Sequence, residues 1–194
     1  MKQTFLKSIS FGATALLLAS CAQPELPQDN YYRLAVSPAA QTTKHLDGVL
    51  EVERFRADGL LSGRPIAYTE GKGHLSEYHY HFWVEPPVDL LQDAMVKYLR
   101  SANLAQHIVT PELRMDEDYL LTGKIIRLER DLSDGDKVAV ELEIGLKRHT
   151  DDKILVLKTY NRTLAQTSSG VQGAVSAMNI ALSEIYAEFV NDIK

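Results

Sequence analysis

The chain has 194 residues, with 21 basic side chains against 26 acidic ones, six histidines and a single cysteine. Its formal charge of −5 lacks the basic excess of a nucleic-acid binder, and no basic run is interleaved with aromatics. One cysteine leaves no partner for an intramolecular disulfide, and the length suffices for one domain with a substantial core.

Lys2 and Lys7 make a short positive segment, and Ile9 to Ala19 is apolar or small throughout. That length fits the hydrophobic region of a signal peptide and is short for a bilayer span. Leu18-Ala19-Ser20-Cys21 resembles the bacterial lipobox, in which the thiol is alkylated with diacylglycerol, the chain is cut before the cysteine, and the new amine is acylated. The resemblance implies that residues 1–20 are a lipoprotein signal peptide and that Cys21 is the lipidation site. Ala22 occupies the position where inner-membrane retention usually requires Asp, so the implied destination is the periplasmic face of the outer membrane. Each buried methylene contributes roughly 0.8 kcal/mol, so several acyl chains together anchor a protein durably. Removing Lys2 and Lys7 from the 21 basic residues leaves 19 against 26 acidic ones, a charge of −7, so anionic lipids add little to the anchoring.

Residues 21–29 comprise Cys21 and a tether. AQPELPQD (22–29) has two prolines and no hydrophobic period. It spans at most roughly 25 Å, at about 3.3 Å per residue. The folded domain, residues 30–194, opens with NYYRLAV (30–36), whose aromatic and β-branched content predicts a strand. GVLEVERF (48–55) and GRPIAYTE (63–70) predict two more, with Asp58-Gly59 and Ser62-Gly63 supplying turns between them. In HLSEYHYHFW (74–83), Tyr78, Tyr80 and Phe82 alternate with Glu77, His79 and His81, which predicts an aromatic core face opposite a polar one. Pro86 and Pro87 end that strand, and Pro87 suits the first position of a helix. Val88, Leu91, Met95, Tyr98 and Ala102 then recur at spacings of three and four, one apolar stripe with Asp93, Lys97 and Arg100 left for water.

HIVT (107–110) is a short strand candidate. DYLLTGKIIRLER (118–130) is a longer one, whose inward phase changes from Tyr119 and Leu121 to Ile126 and Leu128 and predicts a bulge at Gly123. Asp134-Gly135 marks a hairpin. Val138, Val140, Leu142, Ile144 and Leu146 next alternate with Glu141, Glu143 and Lys147, as in a half-buried strand. KILVLKTYNRTL (153–164) is apolar on both phases from Ile154 to Leu157, which predicts a central strand. Val171, Val175, Met178, Leu182, Ile185 and Phe189 repeat at 4, 3, 4, 3, 4, a helix laid across a sheet. Ser168 or Ser169 can cap it, and Ala174, Ala177 and Ala181 permit close packing. The sum is an α+β fold: an antiparallel or mixed β-sheet with two amphipathic helices packed on one face.

An H-x-H on a strand points both imidazoles the same way, so His79 and His81 can converge on one metal, with Glu77 as a third ligand. Without a second ligand pair elsewhere, the same pattern reads as a solvated sheet face, and no metal site is assigned. Glu129, Asp131, Asp134 and Asp136 read as a charged loop rather than an acid–base pair. Trp83 beside Glu85 and Pro86 is either a binding surface or the closure of the sheet where strand meets helix. No G-x-S-x-G, phosphate-cradling glycine loop or H-E-x-x-H occurs, and no catalytic residue or cofactor is assigned.

LLSGRPIAYTEGKGHLSEYHYHFWVEPPVDLLQDAMVKYL (60–99) resembles the ABC-type transport auxiliary lipoproteins, the group that includes paraquat-inducible protein C. The motifs that carry the likeness are YYxL at Tyr31-Tyr32-Arg33-Leu34, R-x-I-x-Y from Arg64 to Tyr68, and W-x-E-P from Trp83 to Pro86. It extends over nearly all of the mature chain. The resemblance implies a non-enzymatic outer-membrane lipoprotein without a cofactor. Its implied partners are MCE-domain or ABC-transporter envelope proteins that move lipids or other apolar molecules, with homo-oligomers among its forms. Two other readings share the same tether and domain: a periplasmic assembly or activator lipoprotein for an envelope synthase, and a metal-dependent envelope enzyme built on His79 and His81.

Overall fold

The computed structural model describes residues 26–71, 73–133, 135–166 and 168–193. The signal segment, the lipobox and Cys21 lie outside these residues, as does Asp134. In chain order the elements are β1 (Asn30–Tyr32), β2 (Leu46–Val52), β3 (Arg56–Ala57), β4 (Pro65–Thr69), β5 (Leu75–Trp83), α1 (Pro87–Ala102), β6 (Ala105–Val109), β7 (Tyr119–Asp131), β8 (Lys137–Arg148), β9 (Ile154–Ala165) and α2 (Gly170–Asp192). The fold is the expected α+β class, and its sheet is mixed.

β7 is the spine. On one edge it pairs antiparallel with β8 from Tyr119↔Arg148 to Asp131↔Lys137. On the other edge β2, β3 and β4 follow one another, all parallel to it. β6 extends the sheet beyond β2, while β5 and then β1 extend it beyond β4. β9 closes the opposite side, pairing with β8.

The predicted alternation of β8 is observed: Val138, Val140, Leu142, Ile144 and Leu146 are all buried, under α2. Both helical stripes also face the core. Leu91, Met95 and Leu99 of α1 and Met178, Leu182, Ile185 and Phe189 of α2 are wholly buried. Each such side chain contributes roughly 1.5–3 kcal/mol relative to exposure. The helices meet where Tyr98 packs edge-on against Tyr186, ring centroids 5.5 Å apart. Pro87 is the first residue of α1, and Asn103, in the left-handed region at φ 54°, ends it. Ser169 occupies the N-cap position of α2, but its side chain makes no capping bond.

Three expectations are corrected. The bulge in β7 falls between Ile125 and Arg127, not at Gly123. Gly123 keeps the inward phase because Phe55 fills the space of a side chain; a Cβ there would sit 2.5 Å from the Phe55 ring. Ile126 is the extra residue and is turned partly outward. Second, β9 is an edge strand rather than a central one. Its even phase buries Val156 and Tyr160, while Ile154 and Leu157 remain exposed.

Third, the first strand stops at Tyr32. Residues 33–45 instead cross the helix layer as a strap, and side chains on the helices satisfy its amides. Ala35 N donates to Asn179 Oδ1 at 2.9 Å, Ser37 N to Ser183 Oγ at 3.0 Å and Ala39 N to Ser101 Oγ at 2.8 Å. The strap therefore ties α2 to α1. It explains why Leu34, Val36 and Ala39 pack on the core without belonging to a strand.

Candidate functional site

The residues with candidate chemistry cluster on β5, the least regular of the long strands. β4 advances two positions from Pro65 to Ala67, while the partner on β5 moves five, from Phe82 to Glu77. The surplus residues bulge out and reverse the alternation, so the expected division of aromatic from polar residues does not form. Trp83 is buried, but Tyr80 and His79 are exposed and Tyr78, His81 and Phe82 are half-buried. Tyr78 and His81 share a face, their rings edge to face at 5.5 Å.

That reversal also separates the histidines. His81 Nδ1 lies 2.8 Å from the Tyr32 hydroxyl, and its ring sits against Tyr32 and Tyr78. His79 turns instead toward Tyr80. Among the described residues, no three His, Cys, Asp or Glu side chains are grouped to hold a metal ion.

Trp83 is closure, not binding surface. It is 1% exposed, its amide donates to Arg64 O at 2.7 Å, and its carbonyl accepts from Arg64 Nε at 3.1 Å. The same bond holds the Arg64 guanidinium 5.5 Å above the Tyr31 ring. Tyr31 in turn stacks on Phe82 with centroids 5.8 Å apart. The sequence offered no signal for this cation–aromatic stack, because Tyr31, Arg64 and Phe82 come from three separate segments.

The carboxylates expected as a charged loop are arranged differently. Glu129 and Asp131 lie on β7, both bonded by Arg127 Nη2, at 2.7 and 3.3 Å. Asp131 is held below the ordinary carboxylate range by hydrogen bonds from Ser133 and by Arg127. Asp136, in the turn after β7, accepts two bonds from Arg130, at 2.7 and 2.6 Å. Arg130 also donates to the Tyr78 hydroxyl at 2.8 Å. These acids are neutralised by specific arginines, and the arginines brace the end of the sheet. Beside them a surface cleft of about 460 Å³ opens between Pro65, Tyr68, Glu77, Tyr78 and Phe82.

The ABC-type transport auxiliary lipoprotein components match the chain over residues 32–190. The chain belongs to that family. The match bears out the resemblance read from YYxL, R-x-I-x-Y and W-x-E-P, and family membership makes this an auxiliary lipoprotein of ABC-type transport. No curated protein matches the chain. Among solved structures, protein XCC0632 from Xanthomonas campestris is similar at 20% identity and a TM-score of 0.73, covering 83% of this chain and 92% of its own. An uncharacterised protein is similar at 15% identity and a TM-score of 0.68, covering 86% and 99%. Both share the fold. The PelC dodecamer from Paraburkholderia phytofirmans is a more distant likeness, at 13% identity and a TM-score of 0.47 over 78% of this chain and 93% of that one.

Proposed function

We propose that the protein is a non-enzymatic auxiliary component of an MCE/ABC-type envelope transport system moving lipids or other apolar molecules. In this reading it is held at the periplasmic face of the outer membrane through acylated Cys21. The observation that carries it is the family match over residues 32–190, which takes in most of the mature chain. The physical arrangement agrees with the role. The described residues form a braced domain whose packed core and paired carboxylates suit a rigid docking body.

The test is crosslinking in the native envelope, followed by capture of the lipoprotein. Recovery of MCE-domain or ABC-transporter subunits is expected; recovery of a cell-wall synthase instead would favour the activator role. Fatty-acid labelling checks the anchor independently. Wild type takes up label and Cys21→Ala does not; persistent labelling of the variant would remove Cys21 from its role.

A further inference from the structure

β1 and β9 are opposite margins of the sheet, and both expose apolar side chains. At the β1 margin Tyr31 and Tyr80 are 55% and 45% exposed. Tyr31 lies against Phe82 and under the Arg64 guanidinium, and Tyr80 lies against His79. The tether arrives here: the Asn30 side chain donates to the Tyr80 carbonyl at 3.3 Å, fixing the start of the domain to the β5 bulge. Leu26, four residues upstream, is 86% exposed. Tyr31 is ten residues from Cys21, so it lies at most roughly 33 Å along the chain from the lipidated thiol.

The chemistry of this ledge matches one kind of surface. Phenol rings with an apolar body and a polar tip favour the headgroup level of a bilayer. A guanidinium whose Nε is already bonded to protein still presents its terminal donors to a phosphate. Asp29, whose carboxylate accepts from the Tyr31 hydroxyl at 3.3 Å, and Glu77, which lines the cleft with Pro65 and Phe82, supply negative charge at this margin. One cation and two carboxylates around exposed aromatics complement a zwitterionic headgroup, with phosphate at Arg64 and ammonium at the acids.

We infer that the Tyr31–Tyr80–Phe82–Arg64 ledge is a contact for a zwitterionic, phosphatidylethanolamine-rich membrane surface and sets the orientation of the domain on its anchor. The contact rests on the lipid anchor proposed above. Five strand intervals separate β1 from β9, a path of roughly 24 Å across the sheet at about 4.8 Å each. A domain standing on the ledge therefore holds Leu157 away from the membrane.

The sole cysteine is the lipidated one, so a new cysteine is a unique free thiol. His79→Cys reports on the ledge and Leu157→Cys on the far margin. The full lipidated protein, labelled there with an environment-sensitive fluorophore, is reconstituted in phosphatidylethanolamine–phosphatidylcholine vesicles carrying spin-labelled lipid. Quenching severalfold stronger at position 79 than at 157 is expected. Adding Tyr31→Ser and Tyr80→Ser to the His79→Cys protein should bring its quenching down to the level at 157. Equal quenching at the two positions in protein that co-sediments with vesicles overturns the ledge and leaves the anchor standing. Failure to co-sediment overturns the anchor, and the ledge with it. Quenching at 79 that appears only when phosphatidylglycerol is added overturns the zwitterionic assignment.

Discussion

The two edges of β7 are built on different plans. One carries a single partner, β8, paired along nearly its whole length; the other carries β2, β3 and β4, short parallel pieces of what is in effect one interrupted strand. On the continuous side β8 buries every inward position from Val138 to Leu146, and α2 lies over it. On the interrupted side the chain leaves the sheet twice, and the strand beyond it, β5, bulges. Continuity concentrates stability; interruption frees side chains to face outward. The exposed aromatic ledge belongs to the second plan.

Truncation tests this division most strongly. Phe189 of α2 is fully buried and packs edge-on against Tyr160 of β9, centroids 6.3 Å apart. Phe189→Ala should lower unfolding stability by about 3–5 kcal/mol, as transfer and cavity terms add. Phe82→Ala, the same truncation on the half-buried ledge, should cost about 1–2 kcal/mol, mainly lost partial burial. Urea midpoints at constant slope measure both. Equal losses would dissolve the distinction between the two sides.

The next effect lies where the plans join. Phe55, just past β2, fills the notch at Gly123 of β7. Gly123→Ala should cost about 1–3 kcal/mol through overpacking. The cost should shrink in a Phe55→Leu background, because the ring that meets the new methyl is gone. A double-mutant cycle in urea reads the coupling directly. Additive losses would mean that Gly123 is needed for some reason other than Phe55.

β8 and the two helices were legible because period and burial coincide. The β8 alternation and both helical stripes were read correctly, since each residue there faces either the core or water. Three other stretches were not legible, for reasons that local spacing does not carry. Gly123 looked like a bulge because the ring filling its notch comes from Phe55, far away in sequence. Ile154 to Leu157 looked central because apolar composition on both phases does not distinguish a buried strand from an exposed edge. Tyr78, Tyr80 and Phe82 looked like one face because nothing in HLSEYHYHFW announces surplus residues relative to β4. The site was legible as a family motif, in Tyr31, Arg64 and Trp83, while the stack that joins the first two depends on tertiary approach.

The smallest effect concerns the brace that fixes the ledge to the spine. Arg130 is 14% exposed, grips Asp136 with two bonds and holds Tyr78 of β5 with a third. Arg130 holds the Asp136 carboxyl below the ordinary range, against the opposing effect of burial. Because the folded value is the lower one, the pair stabilises the protein fully above the unfolded carboxylate value of about 3.9. That contribution is lost as the pH falls through the depressed folded value. Asp136→Asn should therefore cost about 1 kcal/mol at neutral pH, as expected for a partly screened pair. Its urea midpoint should converge on that of wild type as acid protonates the wild-type carboxyl. High salt should reduce this difference only in part, since the arginine is mostly enclosed although Asp136 is partly open. The same salt should weaken the more open ladder on the continuous side, where Lys158 and Arg162 of β9 meet Glu184, Glu188 and Asp192 of α2. A wild-type-to-variant gap that stays constant into acid would mean that Asp136 braces by shape rather than charge, and that the ledge is held by the aromatic stack alone.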